Sequence, residues 1–190
     1  ERSGVKNSEW SMMLSISDLK ELASVAESAA LAAGKYIQLH PASSVSVYKK
    51  ESGSSSASQV VTDVDLYCQR LILEKLFEMT QRFDLGILTE ELDDDGSRLG
   101  KDFFWAIDPL DGTLAFVEGV EGYAVSIGLV SQNGESVLGV VYNPVSDKMY
   151  SAIQGVGVRC NGAVVSRSNE QKNELFELNL STIFTQNRFE

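Results

Sequence analysis

Apolar residues recur at helical spacing in two long stretches of the chain. Elsewhere they form short runs that read as strands. In the first helical stretch Leu19, Leu22, Ala26, Ala29, Ala33 and Ile37 repeat until His40-Pro41 ends the pattern. Asp18 and Glu21, three apart, have the spacing of a capping box at its start. The second helix opens at Val60-Val61-Thr62-Asp63-Val64-Asp65 and places Leu66, Ile72, Leu76 and Phe83 on or near one face. Thr62 is its expected N-cap, with Asp65 at the third position. Between the helices, Val45 and Val47 alternate like a short strand, and Ser52 to Ser58 reads as a flexible loop.

The strand signals gather in the second half. Leu85 to Leu88 is one strand. Phe103 to Ile107 is an unbroken aromatic and β-branched run bounded by Pro and Gly, the pattern of a strand buried on both faces. It is expected to end on Asp108, because Pro109 has no N–H to give a ladder. Leu110 to Thr113 then reads as a turn and Leu114 to Glu118 as a short helix. Tyr123 to Ser131, Val137 to Tyr142 and Met149 to Ile153 follow as strands, joined at Asn133-Gly134 and Asn143-Pro144, and Gly155, Gly157 and Asn161-Gly162 punctuate a last one. The expected fold class is α+β: two long helices packed on a largely antiparallel sheet.

Composition narrows the function. A chain of 190 residues, 43% hydrophobic and 23% charged, is long enough for one good core. A net charge of −11 lacks the basic footprint of a nucleic-acid scaffold or of a protein that binds anionic membranes. No apolar run approaches a bilayer span, and residues 1–16, read as an N-terminal extension, show no signal peptide. Cys68 and Cys160 have no paired spacing and read as small buried hydrophobes in a reducing compartment, cytoplasm or organelle matrix or stroma rather than outside the cell. His40 is the sole histidine and sits at a helix end, which leaves neither a zinc site nor a Ser-His-Asp triad within reach. Ser126 lacks the G-x-S-x-G frame, since Ala124 stands at its first position. Hydrolytic chemistry here must run on carboxylates and metal.

Carboxylates do stand where a cation clamp could be built. Asp108 and Asp111 follow the buried strand, and hard cations take oxygen ligands, including a backbone carbonyl such as that of Leu110. Gly112 and Thr113 would offer backbone N–H groups to an anion at a helix start. Glu90-Glu91 ends the preceding strand. Asp93-Asp94-Asp95-Gly96 lacks the ligand alternation of a calcium loop and reads as an exposed acidic turn.

The string Asp108-Pro109-Leu110-Asp111-Gly112-Thr113 after an apolar strand, followed by Phe116 and Gly119, resembles the signature of the inositol monophosphatase superfamily of Mg2+-dependent, lithium-sensitive phosphomonoesterases. Val61-Thr62 with Asp65 and the pair Glu90-Glu91 resemble two further elements of that family. The resemblance implies a layered sugar-phosphatase-like fold over residues 17–165. It implies a metal site of two or three Mg2+ ions held by Glu90, Asp108, the Leu110 carbonyl and Asp111. Asp65, Thr113 and Glu90 would manage the attacking water, with Asp65 preferred over Asp63. Gly112, Thr113 and Asp111 would hold substrate phosphate, and Lys49 and Lys50 are weaker candidates from the loop over the site. The substrate is a small phosphorylated metabolite. A 3'(2'),5'-bisphosphate nucleotidase is preferred, with an inositol, sugar or histidinol phosphatase as the alternative. Leu114 and Ala115 match neither the nucleotidase nor the inositol phosphatase pattern at those places. Family members continue into a second α/β domain with a Trp-Asp-x-Ala-Ala-Gly-like motif, absent from these residues, so 166–190 reads as a linker and the start of a truncated domain. A homodimer is the expected assembly. The rival from another class is a truncated, non-catalytic metal-binding or interaction module.

Overall fold

The structure is a computed structural model that describes residues 13–49 and 60–165. Lys50, the serine-rich stretch and residues 166–190 lie outside them, as does the side chain of Lys49.

Two helices and one sheet carry the fold. Helix α1 spans Ile16–Leu39 and α2 spans Asp63–Arg82. Two short strands, β1 (Val47–Lys49) and β2 (Val60–Thr62), pair antiparallel just before α2. The main sheet has seven strands in sequence order: β3 (Gly86–Thr89), β4 (Phe103–Asp111), β5 (Ala124–Ser131), β6 (Ser136–Asn143), β7 (Lys148–Ile153), β8 (Gly157–Cys160) and β9 (Ala163–Val164). A six-residue helix, α3 (Thr113–Glu118), joins β4 to β5. The pair β3–β4 is parallel and every other neighbour antiparallel, so the expected α+β class holds.

Helix α1 begins one turn earlier than Asp18 and Glu21 imply. Ser15 is the N-cap, and Asp18 answers as its third-position partner, accepting the Ser15 N–H at 2.8 Å. His40 closes the helix, its Nδ1 2.8 Å from the Tyr36 carbonyl oxygen. Small residues Ala23, Ala26, Ala29, Ala30 and Ala33 let α1 lie close against α2 and the sheet. The core is the layer between these helices and Trp105, Ile107, Val125, Ile127, Leu129, Leu138 and Val140 of β4 to β6. Three expectations change. Val60–Thr62 is strand β2, not the opening turn of α2. Leu66 points outward, 47% exposed, while Ile72 and Leu76 are buried. Cys68 is buried as expected but Cys160 is only partly so. Among the described residues no helix is long and apolar enough to cross a membrane.

Candidate active site

The principal departure from the sequence pattern creates the site. Strand β4 does not stop at Pro109 but runs through it to Asp111. Asp108 pairs with Ser126 and Asp111 with Ala124, so two residues of β4 lie opposite one of β5. The missing N–H of Pro109 falls in this bulge, where the ladder is already interrupted. Residues three apart on a regular strand face opposite sides of a sheet. Here the partners Ser126 and Ala124 are two apart on β5 and share a face, so Asp108 and Asp111 share one as well.

Glu90 arrives from the parallel neighbour. Thr89 pairs with Ile107, and the Glu90 N–H donates to the Ile107 carbonyl at 3.1 Å, which places Glu90 beside Asp108. Asp108 is 3% exposed and accepts the Leu110 N–H at 3.1 Å. Burial lifts its pKa well above the usual carboxylate range, and the charges of Glu90 and Asp111 lift it further, while the Leu110 N–H opposes them. Asp111 is raised as well, by burial first and then by Glu90. Three acids thus compete for negative charge at the end of β3 and β4.

Asp65 approaches from α2. It is fully buried, and its Oδ2 accepts the Thr62 hydroxyl and, at 2.9 Å, the Thr62 N–H, while Thr62 Oγ1 accepts the Asp65 N–H at 3.4 Å; the two bonds to backbone N–H groups are the capping box expected from the sequence. Its Oδ1 lies 2.9 Å from Thr113 Oγ1, and that same hydroxyl lies 3.0 Å from the Leu110 carbonyl oxygen. One hydroxyl proton can serve only one of the two acceptors at a time. Burial raises the Asp65 pKa, opposed by the hydrogen bonds from Thr62 and Thr113. Asp63, the alternative to Asp65, is exposed, and its Oδ1 accepts the Ser46 N–H at 3.1 Å. Gly112 turns the chain from β4 into α3 at φ +88°, and a Cβ there would lie 2.4 Å from the Gly122 carbonyl oxygen, so glycine alone fits.

One supporting residue escaped the sequence reading. Gln69, 5% exposed, accepts the Glu91 N–H on its Oε1 at 3.3 Å and ties α2 to the Glu90-Glu91 turn. The available signal was a polar residue four positions after Asp65, on the same helix face. The donor set suits a hard divalent cation: all oxygen, mostly buried, and carrying mutual repulsion that a cation would relieve. Among the described residues, no three His, Cys, Asp or Glu side chains are gathered as a finished cation site.

The model described as "Inositol monophosphatase family" matches residues 18–188. The chain belongs to that family. It is 34% identical over 147 residues to a "Fructose-1,6-bisphosphatase/inositol-1-monophosphatase" of Aquifex aeolicus, covering 76% of this chain and 52% of that protein. To "Inositol monophosphatase 2" of Solanum lycopersicum it is 36% identical over 115 residues, 60% of this chain and 43% of the relative. Among solved structures, the extragenic suppressor protein SuhB of Bartonella henselae superposes with a TM-score of 0.65 at 27% identity, covering 78% of this chain and 55% of that one. The Thermotoga maritima IMPase gives 0.64 at 28%, covering 82% and 55%. The chain spans about half the length of the curated relatives it matches. The family's layered fold, with two helices on a mostly antiparallel sheet, is the one described above.

Proposed function

We propose that this chain carries the metal-binding half of a Mg2+-dependent phosphomonoesterase acting on a small phosphorylated polyol or sugar. The observation that carries this reading is the meeting of Glu90, Asp108 and Asp111 at the end of β3 and β4, beside the hydrogen-bonded pair Asp65–Thr113. Glu90, Asp108, Asp111 and the Leu110 carbonyl would hold Mg2+. Bound there, Mg2+ supplies Lewis acidity toward a phosphoryl oxygen and makes water a better nucleophile.

The chain's own residues then manage protons and position. If the Leu110 carbonyl served as a cation ligand, Asp65 Oδ1, the other acceptor within reach, would be left to take the Thr113 proton. The lone pairs of Thr113 are left to take a proton from an attacking water, which makes Thr113 and Asp65 a relay. Desolvation makes Asp65 a stronger base than an exposed aspartate, which suits the end of that relay. Thr62 fixes the other carboxylate oxygen and so the direction of Oδ1. Phosphate would be held by the backbone N–H groups of Gly112 and Thr113, beside Asp111.

The substrate choice draws support from the relatives' names, which pair inositol-1-monophosphatase with fructose-1,6-bisphosphatase. These favour a polyol or sugar phosphate over the bisphosphate nucleotide preferred on sequence grounds, and the latter becomes the comparison substrate. The test is Mg2+-dependent phosphate release from inositol monophosphate, fructose-1,6-bisphosphate and a 3',5'-bisphosphate nucleotide. Turnover of one of the first two, lost at least about a thousandfold in Asp108→Asn, is the expected result. Metal binding without turnover of any of the three would support the non-catalytic reading instead.

A further inference from the structure

The turn that carries Glu90 is held by three hydrogen bonds in a row. The Glu90 N–H donates to the Ile107 carbonyl at 3.1 Å, the Glu91 N–H to Gln69 Oε1 at 3.3 Å, and the Leu92 N–H to Thr89 Oγ1 at 3.2 Å. The acceptors belong to three different elements: β4, α2 and the end of β3. Both side-chain acceptors are buried, Thr89 at 4% and Gln69 at 5% exposure, so losing either bond would leave a polar group unpaired away from water. Gln69 stands one turn after Asp65 on the same face of α2, about 6 Å further along the axis. One turn of a single helix thus touches both halves of the site. Asp65 reaches Thr113 at 2.9 Å, and Gln69 reaches the backbone next to Glu90.

We propose that Gln69 is a positioning residue for cation binding: it ties the Glu90 turn to α2 and so sets the place of the Glu90 carboxylate relative to Asp65 and Thr113. This rests on the cation reading of Glu90, Asp108 and Asp111 given above. Asp108 and Asp111 need no such tie, because both stand on β4 and are paired with β5 on either side of the bulge. Glu90 lies one residue past the end of β3, so its place depends on the turn. Its side chain already has several rotatable bonds to freeze when a cation binds, and a loose backbone beneath it would add to that entropy cost. Holding the turn in advance lowers the cost. Residues that orient a ligand without touching the metal typically contribute roughly ten- to hundredfold in affinity. An amide suits position 69, since its oxygen accepts the Glu91 N–H without adding a charge one turn from the buried Asp65.

Heteronuclear NMR of the 190-residue chain reads both the bond and its effect. Amide exchange in EDTA reports whether the Glu91 N–H is held, and shifts of nearby amides during a Mg2+ titration give the affinity. In the parent the Glu91 N–H should exchange slowly and Mg2+ should bind. Gln69→Met keeps the length of the side chain and loses the acceptor, so it should free the Glu91 N–H and weaken Mg2+ binding about tenfold or more. Gln69→Glu keeps an acceptor oxygen and should retain the slow exchange, with Mg2+ bound no worse than about threefold more weakly than in the parent. Gln69→Ala, which removes the acceptor and adds no bulk, gives the same readings should Gln69→Met fail to fold. A role in folding alone would move the melting temperature of Gln69→Met in EDTA and leave its Mg2+ affinity at the parent's, and that result overturns the proposal. So would Gln69→Glu losing as much affinity as Gln69→Met, or a Glu91 N–H that exchanges equally fast in the parent and in Gln69→Met. A parent that binds no Mg2+ would overturn the cation reading itself, and the proposal with it.

Discussion

Cys68 lies in the middle of α2 with none of its surface exposed, and its thiol reaches the Ala33 carbonyl oxygen at 3.5 Å. Burial, with a smaller contribution from the Asp65 charge, pushes its pKa up to about 12. The thiolate is the reactive form, so at pH 8 Cys68 should react roughly a thousandfold more slowly than an ordinary thiol, before access is counted. Cys160, partly exposed on β8, has no such shield from solvent. A thiol-disulfide reagent at pH 8 is expected to label one cysteine per native chain quickly and the second only in denaturant, with peptide mapping assigning the fast site to Cys160. Equal rates in the native protein would contradict the buried placement of Cys68. Other residue-level features were legible beforehand because they are local. Thr62 and Asp65 form a capping box three residues apart, and no distant element is needed to read it. The relation of Asp108 to Asp111 was not legible, since it depends on how β5 counts residues opposite β4.

Between elements, α1 comes close to β6 at Gly34. A Cβ built on Gly34 would lie 2.2 Å from the Tyr142 ring, so the helix can rest on the sheet there only because position 34 has no side chain. Intrinsic propensity predicts that Gly→Ala in a helix interior stabilises by about 1 kcal/mol. The contact predicts the opposite sign. Gly34→Ala should destabilise by about 1–3 kcal/mol as overpacking, measured by urea unfolding, and most of the loss should vanish in the Tyr142→Leu background. A stabilised Gly34→Ala would mean that the helix and sheet are not packed as described. The helices and the meander from β5 to β8 were readable because periodicity and turn residues act within a few positions. The parallel pairing of β3 with β4 was not, since nothing in either segment specifies a partner's direction. Leu66 misled for a related reason: an apolar residue at a helical position does not say which of two apolar faces it joins.

At the scale of the whole molecule, the formal charge of −11 includes acids gathered where water is scarce. Asp65, Asp108 and Asp111 all have folded pKa values raised above the reference 3.8. The sign of the resulting pH dependence is the reverse of that for a salt-bridged aspartate. Below the reference value both the folded and unfolded chains hold these protons, and no difference arises. Above it the unfolded chain releases them while the folded chain retains them, so folding stability falls as pH rises through the folded pKa values. Without divalent cation, these three groups should therefore make the melting temperature rise as pH is lowered from 7.5 toward the reference value. Asp108→Asn removes the most strongly shifted of them and keeps an oxygen for the Leu110 N–H, so it should be more stable than the parent in EDTA at pH 7.5 and flatten the slope. A cation that binds the folded state would do for the parent what the substitution does for the variant. Added Mg2+ should raise the melting temperature of the parent at pH 7.5 and scarcely change that of Asp108→Asn. A parent chain less stable at pH 5.5 than at pH 7.5 in EDTA, with Asp108→Asn following it, would show that the three carboxylates are solvated and would remove the electrostatic basis for a cation at the end of β3 and β4.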